Sequence, residues 1–362
     1  MDVGILAGAR FPITEPFLGG LETHTHVLGS GLVRRGHDVT VYAAGGDGPY
    51  AVSPLLPVDF TGTASARMDV SSAPATVVSE HHSYLDAVLR LSKAGHDVVH
   101  VNSCHYLPFA TAGLIPSAMT ATLHSPPTVW LESALALAAD SKQGPTLISV
   151  SAANAALWSG VAHIEVIHNG IDLRSWTAGP GGDRAVWFGR IAPEKAPHLA
   201  LGAAALAGIE IDIVGPIQDE RYFEQHVVPL LGPRATYLGH LATNELAGVV
   251  GSARVAVVTP AWEEPFGLVI AEALACGTPV AAFDRGAVSE LLDHRSGRIA
   301  PFGDLDLLAA AIDSAGQLDR RGCRQVAEER FSADVMVERY ERRFEEVVAA
   351  RRSRSALVAA DV

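Results

Sequence analysis

The feature that most constrains the fold is a rhythm of short apolar runs, each followed by a longer segment with helical periodicity, along almost the whole chain. The runs are continuously apolar rather than alternating, which is typical of strands that helices cover on both faces of a parallel sheet. Short strands that alternate with helices form right-handed β-α-β crossovers. The sequence therefore predicts an α/β fold with doubly wound parallel sheets.

The rhythm occurs twice, and a segment rich in Gly and Pro, Trp176–Asp183, separates the two halves. The predicted strands are Val3–Ala7, Asp38–Ala43, Asp97–Val101, Met119–Leu123, Thr146–Val150 and Glu165–Ile167, then Ala185–Phe188, Glu210–Val214, Thr236–Leu238, Val255–Thr259 and Val280–Ala282. The predicted helices are Leu21–Arg35, Glu80–Ala94 with Ser79 as N-cap, Val129–Ala139 and Ala152–Ser159, then His198–Ala207, Arg221–Leu231, Asn244–Ser252, Gly267–Ala275, Leu305–Ala315 and about Ala333–Ala350. Two Rossmann-like domains that face each other across a cleft follow from this pattern.

We expect the first domain over residues 1–170, the second over 171–335, a helix over 336–350 that packs back on the first domain, and a solvated tail over 351–362. The 362 residues suit two domains. The net charge of −13 argues against nucleic acid as a partner. The three widely spaced cysteines suit a reducing cytoplasm, and we expect neither a signal peptide nor insertion into a membrane.

The segment from Trp262 to Val280 places two carboxylates, Glu264 and Glu272, eight positions apart around a turn that opens an apolar helix. The free backbone N–H groups at such a helix start suit an anion, and here they belong to Phe266, Gly267, Leu268 and Val269. Carboxylates beside these N–H groups suit the hydroxyls of a ribose or a hexose. The segment therefore suggests a sugar-nucleotide site, and the alternative is a surface loop with two solvated Glu residues.

Three other positions carry weaker signals. Gly19 and Gly20 end a long loop after the first strand, where they let the backbone approach a ligand. His124 follows a strand, at the edge where such sheets bind ligands. Arg190 and Lys195 follow the first strand of the second half and suit a diphosphate. Each of these taken alone is equally compatible with an ordinary turn, a structural histidine or a solvated ion pair.

Five motifs in this order resemble family 4 of the glycosyltransferases, retaining enzymes with the GT-B fold, over nearly the whole chain. They are Gly-Gly-x-Glu (19–22), Arg-Gly-His-Asp-Val (35–39), Asn-Gly-Ile-Asp (169–172), Gly-Arg-x(4)-Lys (189–195) and Glu-x(7)-Glu (264–272). The chain departs from the family at Ala196, where many members have Gly, and at Arg285-Gly286-Ala287, where Gly-Gly is usual.

The resemblance implies that the second domain binds the nucleotide donor and the first domain binds the acceptor. Arg190 and Lys195 would hold the diphosphate and stabilise the departing charge, and Glu272 would bind the ribose. Glu264 would contact hexose hydroxyls. The remaining donor contacts would come from Gly19, Gly20, Pro265, Phe266, Gly267 and Leu268, with His124 near the transferred sugar.

The implied reaction moves a hexosyl group from a sugar nucleotide, UDP rather than GDP on family grounds, to a hydroxyl of a small molecule or glycan. We expect no cofactor and no metal, because Asp304-Leu-Asp306 reads as a helix N-cap. Same-face attack by the acceptor is favoured over a covalent intermediate. The acceptor cleft is expected to be lined by His100, Asn102, His105 and Tyr106, which follow a first-half strand together with Cys104.

Three other functions are compatible with two alternating α/β domains. A sugar-nucleotide epimerase of the same fold would need no acceptor, and a phosphorylase would usually need pyridoxal phosphate. A two-lobed sugar-binding module would leave the cations and paired carboxylates without a role. Nucleotide release that depends on an acceptor separates the transferase from all three.

Overall fold

A computed structural model describes residues 1–56, 62–68, 73–140, 144–158, 160 and 163–360. Within them the first half forms a parallel seven-stranded sheet in the order β3-β2-β1-β4-β5-β6-β7. Its strands are β1 (Asp2–Leu6), β2 (Asp38–Ala43), β3 (Ala51–Pro54), β4 (Val98–Val101), β5 (Ala118–Leu123), β6 (Thr146–Ser149) and β7 (Ile164–Val166). Its helices are α1 (Gly20–Arg34), α2 (Ala64–Arg67), α3 (Ala75–Ala94), α4 (Leu107–Ala110), α5 (Val129–Asp140) and α6 (Ala152–Leu157).

The second half forms a parallel six-stranded sheet in the order β10-β9-β8-β11-β12-β13 within the same described ranges. Its strands are β8 (Ala185–Phe188), β9 (Ile211–Val214), β10 (Ala235–Tyr237), β11 (Val255–Val258), β12 (Val280–Phe283) and β13 (Gly297–Ala300). Its helices are α7 (Pro197–Leu206), α8 (Glu220–Tyr222), α9 (Thr243–Gly251), α10 (Leu268–Ala275), α11 (Val288–Leu291), α12 (Leu305–Ala315) and α13 (Arg320–Arg330), followed by α14 (Ala333–Ala360). The predicted class, two doubly wound parallel sheets, is confirmed.

The strand order fixes where a ligand can enter each sheet. In the first sheet β2 and β4 lie on opposite sides of β1, and in the second β9 and β11 lie on opposite sides of β8. The chain reverses its direction of winding at these points, so the loops that leave the strands diverge and open a crevice. The loops after β1, β4, β8 and β11 are therefore the ones expected to carry the site.

The last helix, α14, returns from the second sheet to the first. Its side chains Met336, Tyr340 and Phe344 are buried in the core that contains β1 and β2 residues such as Val3 and Val41. The Tyr340 hydroxyl bonds to Thr122 Oγ1 of β5 at 2.8 Å. The chain thus crosses the interface between the halves a second time. The exact domain boundaries stay a prediction.

Several local predictions were wrong. Helix α3 begins at Ala75 after Pro74 rather than after Ser79. The predicted helix Arg221–Leu231 is divided into α8, a π-helical turn Phe223–Val227 and a 3₁₀ turn Val228–Leu230. Pro229 lacks the N–H that a continuous α-helix would need there.

The predicted end of the last helix is also wrong, because α14 continues to Ala360 instead of ending near Ala350. Two strands, β3 and β13, were not predicted. Both are edge strands without a continuous apolar run, since β3 ends in Pro54 and β13 contains Arg298. Ser159, the last residue of the predicted helix Ala152–Ser159, and residues 361–362 of the tail lie outside the described residues.

Candidate active site

A cavity of about 1150 Å³ lies between the two halves and is lined by residues of both. Its lining includes the loops after β1, β4, β5, β8 and β11, as the two winding reversals require. The linear sequence separates these loops by up to about 250 positions, from Gly20 to Glu264 and beyond. The predicted donor residues of both halves therefore line one cavity.

Glu264 and Lys195 form an ion pair on the second-half wall. Glu264 Oε2 accepts from Lys195 Nζ at 2.5 Å and from Trp262 Nε1 at 3.0 Å. The Lys195 ammonium also lies 5.1 Å from the centre of the Trp262 ring, within the range of a cation–π contact. Both charged groups are mostly buried. The indole thus holds a carboxylate and a cation side by side at the cavity.

The backbone of Glu264 is fixed by Gly286. Ala287 N donates to Glu264 O at 2.9 Å, and a Cβ on Gly286 would lie 2.3 Å from the Glu264 backbone N and O atoms. Gly286 also has a φ of +61°, in the left-handed region that favours glycine. The single Gly retained in Arg285-Gly286-Ala287 is therefore the one that the close approach to Glu264 requires.

Helix α10 begins at the cavity, and its N-cap is Gly267 with a φ of +87°. Among the described residues, no protein group accepts a hydrogen bond from the backbone N–H groups of Phe266, Gly267, Leu268 or Val269. Pro265 O accepts from Ser151 Oγ of the first half at 2.5 Å, which holds this turn against α6. The turn therefore presents unpaired donors at a positive helix end.

Glu272 lies one turn further along α10 and is only 7% exposed, yet it lines the cavity. No described group donates to its carboxylate. Burial raises the pKa of Glu272 to about 8. The side chain is therefore a largely protonated acid near neutral pH that has room for a polar partner only on the cavity side.

Arg190 belongs to the second half and lines the cavity where the two halves meet. Its Nη1 donates to Gln218 Oε1, and its Nη2 is 3.6 Å from Glu194 Oε1. A Cβ placed on Gly19 would lie 3.5 Å from Arg190 Cδ. Arg190 and Gly19, which sequence reasoning could only treat separately, are thus in near contact.

Glu22 is a carboxylate at this contact that the sequence predictions did not include among the site residues. It lies in the first turn of α1, is 7% exposed and lines the cavity beside Gly19. Burial raises the pKa of Glu22, and the Arg190 charge opposes that rise. The Gly-Gly-x-Glu motif contained the residue, but only the tertiary structure places its carboxylate in the cavity, where it feels the Arg190 charge.

His124 is held by a buried chain of hydrogen bonds. His124 Nε2 bonds to Asn102 Oδ1 at 2.6 Å, Asn102 Nδ2 donates to Thr25 Oγ1 at 2.7 Å, and the Thr25 hydroxyl donates to Leu21 O at 2.8 Å. Because an amide oxygen can only accept, Nε2 carries the proton and Nδ1 carries a lone pair. Burial, together with His24 and His100, lowers the pKa of His124 well below its usual value. The ring is therefore neutral.

The four predicted acceptor residues divide into two pairs. His105 and Tyr106 line the cavity, as does Trp130, which the sequence did not single out. His100 and Asn102 do not line it, so the prediction that they face the acceptor is corrected. His100 is fully buried beneath Tyr340 of α14, and it bonds to Thr120 and Thr122.

The correction follows from strand geometry. Side chains along a strand alternate between its two faces. His100 lies within β4 and faces the core side that α14 covers, whereas Asn102, just beyond the strand, points to His124 and supports it. Every residue of β4 is buried, so both faces are covered, and sequence periodicity cannot say which element covers which face.

Glu290 joins the two halves on another side of the cavity. Its carboxylate accepts from Ala152 N and Ala153 N at the start of α6, both at 3.0 Å, and bonds to His168 Nε2 at 2.6 Å. These three bonds outweigh the effect of burial and hold the pKa of Glu290 below its usual value. The residue thus holds the relative position of the two walls rather than lining the cavity.

Two further findings concern metals and membranes. Asp304 Oδ1 accepts from Leu307 N at 2.9 Å, so this Asp caps α12 as predicted. Within the described part of the chain, no cluster of three or more His, Cys, Asp or Glu side chains could hold a metal ion. In the same part, no helix is both long and apolar enough to cross a membrane.

Comparisons with known proteins agree with this geometry. The family model described as Glycosyltransferase Family 4 matches residues 18–175, and the one described as Glycosyl transferases group 1 matches residues 182–316. A glycogen synthase of Mycobacterium tuberculosis is 29% identical over 85% of this chain and 86% of its own length. A D-inositol 3-phosphate glycosyltransferase of Mycobacteroides abscessus is 36% identical over 39% of this chain and 36% of its own length.

Solved structures show the same fold at low identity. A sucrose-phosphate synthase from Thermosynechococcus elongatus superposes with a TM-score of 0.76 at 20% identity, covering 97% of this chain and 100% of that one. Anabaena HepE, solved in complex with UDP-glucose, superposes with a TM-score of 0.72 at 18% identity, covering 97% of this chain and 100% of that one. The predicted GT-B fold is confirmed.

Proposed function

The chain belongs to the family 4 glycosyltransferases of group 1, and we propose that it is a retaining, metal-independent hexosyltransferase. The donor is a nucleotide-diphosphate sugar and the acceptor is a hydroxyl of a small molecule or glycan. One observation carries the proposal: Arg190, Lys195, Glu264 and Glu272 meet in a single cavity beside the unpaired amides of α10. A diphosphate, a hexose and a ribose require this combination of cations, amide donors and carboxylates.

Each part of the donor has a matching group. The diphosphate lies between Arg190, Lys195 and the amides at the start of α10, where full charges and a helix end act together. Glu264 takes the hexose hydroxyls, because its indole support holds it beside Lys195. Glu272 takes the ribose. A UDP-sugar is favoured because a protein with this fold was solved in complex with UDP-glucose.

Charge governs the chemical step. As the bond between the anomeric carbon and the phosphate oxygen breaks, negative charge grows on the diphosphate and positive charge grows on the sugar ring. Fixed donors aimed at the leaving oxygen stabilise this transition state more than the ground state. Arg190, Lys195 and the α10 amides are those donors. Removing one such group typically costs about 10²–10³-fold in turnover.

Retention follows if the acceptor hydroxyl attacks from the face that the diphosphate leaves. The departing phosphate then takes the proton of the attacking hydroxyl, so no protein nucleophile is required. His124 is neutral and fixed through Asn102, and it contributes its Nδ1 lone pair to a sugar hydroxyl. A covalent route would instead need a first-half carboxylate, and Glu22, beside Arg190, is the residue that would carry the adduct.

Donor binding is the first test. Thermal-shift measurements with UDP-glucose, UDP-N-acetylglucosamine, ADP-glucose and GDP-mannose should show stabilisation by one nucleotide class. Lys195→Ala and Glu272→Ala should lose most of that stabilisation. Lys93→Ala, which removes an exposed lysine outside the cavity, is the matched control and should behave as the wild type. Equal stabilisation of all four proteins would refute the site.

Turnover tests the reaction itself. Lys195→Ala should lower transfer by at least about 10²-fold, and activity should survive a chelator. The anomeric coupling constant of the product, read by NMR, should match that of the donor. Intact-mass analysis of wild type and Glu22→Gln during turnover should show no glycosyl adduct. Nucleotide release without any acceptor-dependent product would favour a hydrolytic enzyme instead, and conversion of one sugar nucleotide into another without release would favour an epimerase.

A further inference from the structure

Four rings form a continuous stack at the first-half end of the cavity, and we call them the aromatic wall. Tyr84 and His105 stack with centroids 4.2 Å apart, His105 and Tyr106 at 5.0 Å, and Tyr106 and Trp130 at 4.9 Å. The rings come from α3, the loop after β4 and the start of α5. Three separate segments thus contribute to one stack of nearly parallel rings that ends at Trp130.

The inner end of the aromatic wall is fixed and its outer end is open. The Tyr84 hydroxyl donates to Ala7 O and accepts from Ala9 N, both at 3.2 Å. Trp130 is 66% exposed although it lines the cavity, and the exposed side chains of Phe11 and Val77 line the same mouth. An exposed Trp held by a rigid stack offers a preformed face for a ring, at little entropic cost.

Polar groups accompany the stack. The Tyr106 hydroxyl bonds to His81 Nδ1 at 3.2 Å, and both residues line the cavity. Burial lowers the pKa of His105 to about 4, so its ring is neutral near pH 7. A surface that offers ring faces beside neutral hydrogen-bonding groups matches a sugar, which has a C–H face and a hydroxyl-bearing edge.

The charges around the cavity disfavour an anionic acceptor. Among the described residues, five acidic side chains besides the largely protonated Glu272 line it but only four Arg or Lys side chains do, and the five are Glu15, Glu22, Glu80, Asp172 and Glu264. Arg190 and Lys195 serve the donor diphosphate. The two first-half cations have carboxylate partners: Arg10 bonds to Glu80 at 2.7 and 2.9 Å, and Arg34 lies 3.9 Å from Asp334.

Resting on the proposed transferase function, we propose that the acceptor is a neutral, unphosphorylated sugar whose ring stacks on Trp130. Among the described residues, each first-half cation that lines the cavity already has a carboxylate partner, with which an acceptor phosphate would have to compete. The relatives include a glycogen synthase and an inositol 3-phosphate glycosyltransferase, so the distinction matters. The aromatic wall selects the neutral class.

The experiment compares methyl α-glucoside, maltotriose, glucose 6-phosphate and 4-nitrophenol as acceptors, with the donor found by thermal shift. Donor hydrolysis without acceptor is recorded in parallel, because it reports the donor half alone. The variants are Trp130→Ala, Trp130→Phe and, as matched control, Leu137→Ala, an exposed apolar residue of the same helix outside the cavity.

We expect transfer to a neutral sugar in preference to the phosphorylated one. Trp130→Ala should raise the acceptor KM on the order of tenfold while the donor KM stays within about twofold, as loss of a stacked face predicts. Trp130→Phe should restore most of the affinity, and Leu137→Ala should match the wild type.

Preference for glucose 6-phosphate or for the phenol, or an unchanged acceptor KM in Trp130→Ala, would overturn the neutral-sugar proposal. So would donor hydrolysis without transfer to either neutral sugar. Transfer to glucose 6-phosphate or to the phenol, or transfer with an unchanged acceptor KM in Trp130→Ala, leaves the transferase assignment intact. If the wild type neither binds nor hydrolyses any of the sugar nucleotides, the proposed function and this inference are both refuted.

Discussion

Glu272 should make the stability of the protein depend on pH in a definite direction. Its carboxyl is buried in α10 with no described hydrogen-bond donor, and burial raises its pKa from 4.5 to about 8. A raised native-state pKa means that the folded protein binds the proton more tightly than the unfolded chain does. The stabilisation is therefore complete below pH 4.5 and is lost as the pH rises through about 8.

The magnitude follows from linkage. One pKa unit corresponds to about 1.4 kcal/mol, so between pH 5 and pH 8 the loss from this one group approaches about 4 kcal/mol. Glu272 lines a cavity that water can enter, and solvation of the ionised form reduces the figure. We therefore expect a loss of about 2–4 kcal/mol. This is a large part of a typical unfolding free energy of about 5–15 kcal/mol.

Glu272→Gln keeps the size of the side chain and removes its titration. Urea unfolding of wild type and variant at pH 5.5 and at pH 8.5 gives the test. The unfolding free energy of the variant, minus that of the wild type, should increase by about 2–4 kcal/mol between the two pH values. Glu224→Gln, at an exposed carboxylate, is the matched control and should show no such change. A constant difference for Glu272→Gln would refute the reasoning.

Three further predictions concern the cavity. Donor binding near pH 7 should release a proton from Glu272, because hydrogen bonds from the ribose hydroxyls favour its ionised form. The heat of binding, measured by calorimetry, should then vary with the ionisation enthalpy of the buffer. Gly286→Ala should lower the unfolding free energy by about 1–3 kcal/mol and weaken donor binding, because its Cβ would meet the Glu264 backbone. Gly303→Ala, with a φ of +86° but open space around it, should keep donor affinity and so isolates the steric part. Asn102→Ala should lower kcat with little change in donor KM, because the His124 ring loses its support; an unchanged kcat would show that this support is not needed.

The site residues that the sequence predicted correctly lie mostly in the loops that follow the strands. Residues at the carboxyl ends of parallel strands share one edge of a sheet whatever the details of packing. Gly19, Arg190, Lys195, Glu264 and His124 all line the cavity for that reason. Their individual roles stay predictions until the variants are measured.

The sequence misplaced or missed those residues whose positions depend on how distant elements pack against each other. His100 was expected in the acceptor cleft but lies under α14, because β4 turns that face towards the last helix. Glu22 and Trp130 were not predicted as site residues. Glu22 lines the cavity near the Arg190 charge and Trp130 stacks on Tyr106, and both relations join residues distant in the chain.

The sequence by itself determined the alternation of strands and helices, the two parallel sheets and the loops that carry the chemistry. These features depend on local apolar patterns and on glycines and prolines at fixed positions, which are written in short segments. Only the tertiary structure decided that Lys195 pairs with Glu264, that Asn102 supports His124 and that Trp130 continues a stack of rings. Such pairings arise from packing between distant segments, and a local pattern does not specify their partners.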